Sequence, residues 1–224
     1  MSPEEKLALS QQVLTAIYGP QRAGSSKTAL HQLIATILSH RTDYASEKRA
    51  FDTLWSRYGS WEAIRDAPLA DVIEAIAPAR FPEVKGPYIQ ESLRQIIAER
   101  GDASVDFLKE LSPEEALLWL KRLPGVGPKT ASLVLLFNFR MPVLPVDTHV
   151  HRVSQRLGII PAKTSAERAH VLLLEMLPKD PDVLFSFHKH FFWHGQRICT
   201  FLAPRCEACV LQSFCAYYHS RYSL

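Results

Sequence analysis

Leu123–His149 reads LPGVGPKTASLVLLFNFRMPVLPVDTH, and the reading of its two ends decides both fold and chemistry. At the first end, Gly125 and Gly127 flank Val126, and Pro128-Lys129-Thr130 open an apolar run. Glycine permits φ > 0 and lets another molecule approach the backbone closely. Proline is favoured at a first helical position. Lys121–Thr130 therefore reads as the end of one helix and the start of another. The second helix would present first-turn amides outward, with a dipole that favours an anion. Such a helix-hairpin-helix holds a nucleic-acid backbone without reading its sequence; a plain αα-hairpin is the alternative. Gly125, Val126, Gly127 and Thr130 are the candidate contacts.

Lys129 falls in the first turn of that second helix, where the dipole disfavours a cation and partial burial would lower an amine's pKa. An amine so tuned is a usable nucleophile, although a phosphate contact or a solvated charge would also place a lysine there. At the other end, Val146-Asp147-Thr148-His149 precedes a helix carrying Val150, Val153 and Leu157. Asp147 is suited to cap that helix, which keeps its carboxylate ionised. The Pro142–Pro145 bend is expected to bring Asp147 opposite Lys129 across a cleft, where an ionised carboxylate would stabilise an oxocarbenium-like sugar.

The rest of the chain is helical in pattern. Ser2-Pro3-Glu4-Glu5 and Ser112-Pro113-Glu114-Glu115 fit capping boxes with proline at the first helical position. Apolar residues repeat at helical spacing over 29–39, 46–58, 61–66, 69–77, 86–100, 113–122, 128–138, 148–157, 165–177 and 184–199, while 78–87 reads as a loop. No segment alternates with period two, so the fold class is all-α. The 224 residues are 47% hydrophobic and 22% charged, which is globular and long enough for one domain or two small ones. The longest apolar run, Leu133–Phe137, is far too short to span a membrane, and the N-terminus lacks a basic-then-apolar leader. A cytoplasmic location is expected. The net charge of +3 permits a nucleic-acid partner without arguing for one. Gly19–Thr28, GPQRAGSSKT, departs from the phosphate-loop spacing and follows no strand.

All four cysteines fall in Cys199-x6-Cys206-x2-Cys209-x5-Cys215. Structural zinc sites usually use two close pairs; one close pair with an outlying thiolate on each side suits the corners of an iron–sulfur cubane better. Zinc stays open as a second reading, and disulfides fit poorly with reducing surroundings.

These features together resemble the endonuclease III family of helix-hairpin-helix DNA glycosylases, over nearly the whole chain. The resemblance rests on LPGVGPKTA, on VDTH, and on the cysteine spacing behind His194-Gly195. It implies a six-helix bundle domain over 23–140 that carries the hairpin, and a second domain from 1–22 and 141–224. That second domain would hold a [4Fe-4S] cluster on Cys199, Cys206, Cys209 and Cys215. It implies Lys129 as nucleophile and Asp147 as essential carboxylate, acting as a monomer on duplex DNA that contains damaged bases or abasic sites. A lysine at this position implies a bifunctional glycosylase and lyase for oxidised pyrimidines. Arg197 and Arg205 become candidate phosphate contacts beside the cluster, and His149 a backbone contact or a support for Asp147.

The sequence departs from the family at two loops. Arg41, in Leu38-Ser39-His40-Arg41-Thr42, stands where a gap-filling glutamine is usual. Ala77-Pro78-Ala79-Arg80-Phe81-Pro82 replaces a short intercalating loop; Phe81 is a candidate wedge or a packing residue, with Arg80 beside it. Tyr44 also stands where an acidic residue is common. His188, His190 and His194 read as a packed helix face rather than as metal ligands.

Overall fold

A computed structural model describes residues 1–222, with the side chain of Tyr222 left out. Among the described residues there are twelve α-helices and no strand, and no helix is long and apolar enough to cross a membrane. The chain divides into two compact units: Ser25–Phe139, and Met1–Gly24 with Arg140–Leu224. These limits differ slightly from the expected 23–140. Ala23 and Arg140 both join the second unit because Asp182 holds them: its Oδ1 accepts from the Ala23 amide at 2.8 Å, and the Arg140 guanidinium grips both carboxylate oxygens at 2.8 and 3.1 Å.

The Ser25–Phe139 unit contains seven α-helices, one more than expected: α2 (Ala29–Ser39), α3 (Tyr44–Tyr58), α4 (Trp61–Asp66), α5 (Leu69–Ala75), α6 (Pro82–Arg100), α7 (Pro113–Leu120) and α8 (Pro128–Phe139). Its core is the packing of α2 against α8. Every residue from Ala29 to Leu38 except His31 and Gln32 is buried, as is every residue from Thr130 to Leu136. A helix apolar all round is a buried helix, so α8 presents only its ends to solvent, and its first turn becomes the exposed working end.

Three helix starts, at Tyr44, Pro82 and Pro181, fall earlier than the hydrophobic pattern indicates. α3 begins at Tyr44 because Asp43 caps it, accepting from the Ser46 amide at 3.0 Å. α6 begins at Pro82, so the expected long loop shrinks to the residues before it. Phe81, its N-cap, adopts φ 59°, and Pro87 lies inside the helix. Gly86 is needed there for packing: a Cβ would meet Ile73 of α5 at 2.9 Å.

The second unit comprises α1 (Pro3–Tyr18), α9 (Thr148–Leu157), α10 (Ala166–Met176), α11 (Pro181–Arg197) and α12 (Ala216–Tyr222). The Ser2 capping box forms as the sequence dictates, as does the Ser112 box of α7. α11 packs on α9 and α1. Its buried face carries Phe187 and Phe191, with ring centroids 4.1 Å apart. His188, His190 and His194 are at most 4% exposed and are packed residues, as read. The first two are tied to the carbonyls of Pro145 and Gly19 at 2.9 and 2.8 Å.

Candidate active site

The hairpin joins α7 to α8 through Lys121–Gly127. Gly125 is its conformational pivot, at φ 76°; a Cβ there would also strike the Tyr88 ring at 2.6 Å. Gly127 has ordinary φ and open space where a Cβ would stand. Its smallness therefore leaves the backbone accessible rather than permitting a turn, unlike the paired role expected for both glycines. The Ala131 amide makes the first intrahelical bond, to the Gly127 carbonyl at 3.0 Å, so the amides of the first turn precede the ladder. At two of the candidate contacts the residue is packed inward. Val126 is 6% exposed and anchors the turn to the core. Thr130 is 1% exposed and its hydroxyl pairs with His40 Nε2 at 3.0 Å. Neither side chain is presented to a ligand, so the candidate contacts at these two positions are backbone groups.

Lys129 is half-buried on α8. Its charge bears on two groups that the sequence did not single out. Burial, then the charges of Lys129 and Lys85, push the His40 imidazole down to about 4, so that ring is neutral at physiological pH. Burial raises the Glu47 carboxyl, opposed by Lys27, Lys129 and Lys85.

The two departing loops lie in the same unit. Arg41 is exposed at φ 55°, and Phe81 is 46% exposed at φ 59°. Left-handed backbone in an arginine and a phenylalanine is strained, and such strain persists only where the surroundings enforce it. Arg80 has an exposed side chain, while its amide donates to Thr42 Oγ1 at 3.1 Å.

In the other unit, Asp147 is the N-cap of α9. One oxygen, Oδ1, accepts from the His149 and Val150 amides, both at 2.8 Å. His149 Nδ1 lies 3.1 Å from Arg152 Nη2. Arginine can only donate, so Nδ1 accepts and a neutral ring carries its proton on Nε2. The ring stands edge-on to Phe192, and Gly195 lets α11 approach it, since a Cβ there would lie 2.7 Å from His149 Cβ. His149 is thus fixed by α9 and α11. Arg152 also donates to the carbonyls of Gly195 and Cys199, at 2.8 and 3.0 Å.

The four cysteines are free thiols and all line one cavity that opens to solvent, together with Arg156 and His194. Among the described residues no three His, Cys, Asp or Glu side chains converge on a point as they would around a single ion. Arg156 donates to Cys199 Sγ at 3.4 Å and to the Thr200 and Phe201 carbonyls at 2.7 and 2.9 Å. His194 Nε2 lies 3.5 Å from Cys209 Sγ. Burial pushes the Cys209 thiol up to about 11, and also raises Cys215. Arg197 and Arg205 are both exposed. The Arg197 guanidinium lies over the Tyr18 and Trp193 rings at 5.8 and 5.7 Å.

Comparison with known proteins identifies the family. Residues 34–179 match the model of the HhH-GPD superfamily of base excision DNA repair proteins. Endonuclease III of Thermotoga maritima is 34% identical over 189 residues, covering 84% of this chain and 83% of that protein. Endonuclease III of Bacillus subtilis is 33% identical over 183 residues, covering 82% and 78%. Among solved structures, a non-covalent endonuclease III–DNA complex superposes with a TM-score of 0.84 at 25% identity, over 99% of both chains. A thermostable thymine-DNA glycosylase shares the fold alone, with a TM-score of 0.79 at 19% identity over 96% of this chain and 98% of that one. With an all-helical fold, a glycine-pivoted hairpin and these relatives, the chain belongs to the HhH-GPD superfamily of base excision DNA repair proteins, within the endonuclease III family.

Proposed function

We propose that this chain is a bifunctional DNA glycosylase and abasic-site lyase that removes oxidised pyrimidines from duplex DNA. The observation that carries the reading is Lys129: a half-buried amine in the first turn of α8, two residues after Gly127. The hairpin would hold a phosphate with backbone amides, aided by the α8 dipole. The target nucleotide would leave the stack, with Arg41 and Phe81 occupying the gap, Arg80 beside them, and His149, Arg197 and Arg205 on the backbone.

The Lys129 Nζ lone pair would bond to C1′ as the glycosidic bond breaks, the bonding pair departing with the base, which takes up a proton. Sugar ring opening gives a Schiff base. Loss of a C2′ proton then expels the 3′ phosphate by β-elimination and cleaves the strand. Asp147, fixed by two amides, would supply the negative charge that favours an oxocarbenium-like sugar.

We also infer that Cys199, Cys206, Cys209 and Cys215 hold a [4Fe-4S] cluster. Four thiols lining one cavity, in a spacing with one close pair and an outlying thiolate on each side, suit the corners of a cubane. Bound there, the cluster would tie the 199–215 segment together, and no step of the reaction runs through it.

The decisive test is borohydride trapping on an abasic duplex. Wild type should yield a covalent protein–DNA adduct; Lys129→Gln should yield none while still binding the duplex. An adduct formed equally by the variant would sink the assignment.

A further inference from the structure

The buried amine of Lys85 is not used by the chemistry above. Lys85 is 4% exposed, yet its Nζ donates three hydrogen bonds: to the carbonyl oxygens of Leu38 and His40, at 2.7 and 2.8 Å, and to Thr42 Oγ1 at 2.9 Å. All three donor positions of an ammonium are therefore filled. The two carbonyls belong to the C-terminal end of α2, where a cation meets the negative end of the helix dipole. The Thr42 hydroxyl is shared: it also accepts the Arg80 amide at 3.1 Å and donates to the His40 carbonyl at 3.2 Å. Lys85's own amide bonds the Phe81 carbonyl at 3.1 Å.

One side chain thus joins two turns that are far apart in sequence. Each turn contains a strained non-glycine residue with an exposed side chain, Arg41 at φ 55° and Phe81 at φ 59°. The same network reaches α8, since the His40 ring pairs with Thr130 Oγ1 at 3.0 Å, one residue after Lys129. Burying a lysine is costly unless every donor is satisfied, and ordinary packing at this place would be served by an apolar residue.

We propose that Lys85 is a positioning residue that fixes Arg41 and Phe81 in register with each other, so that both enter the duplex together when a nucleotide is extruded. The proposal deepens the reading of this chain as a nucleotide-extruding enzyme and rests on it. Preorganisation of two side chains is its physical content: without the clamp, each must be ordered at the moment of binding. Ordering costs of that kind amount to about a tenfold loss in preference for a gapped site.

The test compares wild type with Lys85→Met and with Thr42→Val, the second a milder change that keeps the lysine. Amide hydrogen exchange of the free proteins is measured together with affinity for two duplexes, one undamaged and one carrying a tetrahydrofuran abasic analogue. Both variants should exchange faster at 39–42 and at 80–85 together, with 113–139 unchanged. Their preference for the abasic duplex should fall about tenfold while undamaged affinity holds. Exchange that changes at one turn without the other overturns the clamp. Coupled exchange with undiminished abasic preference overturns the positioning role. If Lys85→Met fails to fold, Thr42→Val alone decides on the same readouts. Failure of the underlying reading looks different: wild type itself would show no abasic preference and no borohydride adduct.

Discussion

At the scale of single residues, Asp147 has two separable tasks. As the cap of α9 it accepts from two amides with one oxygen, and asparagine caps about as well as aspartate. As a catalytic carboxylate it needs its negative charge, which asparagine lacks. Asp147→Asn should therefore stay within about 0.5 kcal/mol of wild type in denaturant unfolding while turnover drops by about 10²-fold or more. Asp147→Ala should in addition cost about 1–2 kcal/mol of stability. An Asn variant with wild-type turnover would reduce Asp147 to a cap. This division also shows what single residues could and could not disclose in the sequence. Asp147 and Lys129 were legible because helix starts are marked locally, by capping residues and proline. The inward side chains of Val126 and Thr130 were not: their orientation depends on which way α8 is rolled against α2, and no local signal carries that. The same holds for His40 and Glu47, which meet Lys129 only through tertiary packing.

At the scale of elements, the hairpin loop's two glycines are predicted to fail in different ways when substituted. Gly125→Ala forces a side chain into left-handed backbone, costing on the order of 1–2 kcal/mol, and drives a methyl into the Tyr88 ring. The protein should lose about 2 kcal/mol or more by thermal or denaturant melting. Gly127→Ala meets open space at ordinary φ, so stability should change by less than about 0.5 kcal/mol. Its methyl would nonetheless stand where a phosphate must approach, and duplex affinity should fall by about tenfold, measured by fluorescence anisotropy. A folded Gly127→Ala protein with wild-type affinity would mean that this loop does not face DNA. Elements were otherwise readable where the 3.6-residue period and the caps agreed, as in α1, α2, α7 and α9. They were misread where chemistry ran against statistics. Pro78, Pro82 and Pro87 suggested a loop, yet Pro82 sits at the start of α6, and the helix continues through Pro87 because its first turns are held by Lys85 and by close packing on α5. α12 went unread because its short segment has no strong apolar period, only the packing of one turn against α9.

At the scale of the whole molecule, both ends of the chain build one unit, and its last portion is its least self-sufficient. Ile198–Cys215 contains only two 3-10 turns, Cys206–Ala208 and Gln212–Phe214. It buries little beyond Leu211, Phe214 and Cys215, and leaves Phe201 and Leu202 at 73% and 90% exposure. A segment with so little apolar burial does not repay its ordering entropy by packing alone. Among the contacts that tie it down are those that Arg152 and Arg156 of α9 make with the carbonyls of Cys199, Thr200 and Phe201, and these need the segment to be in place already. A cluster on the four cysteines would supply that order, because metal binding free energy becomes folding free energy when the site is absent from the unfolded chain. Protein purified without oxygen should therefore contain iron and labile sulfide in equal amounts. Stripping them should lower the melting temperature by roughly 5 °C or more. It should also raise amide exchange across 198–215 while leaving the hairpin region at 113–139 unchanged. Iron-free protein with undiminished protection over 198–215 would show that the arginine contacts of α9 suffice, and that the cysteines do not hold the fold of this unit.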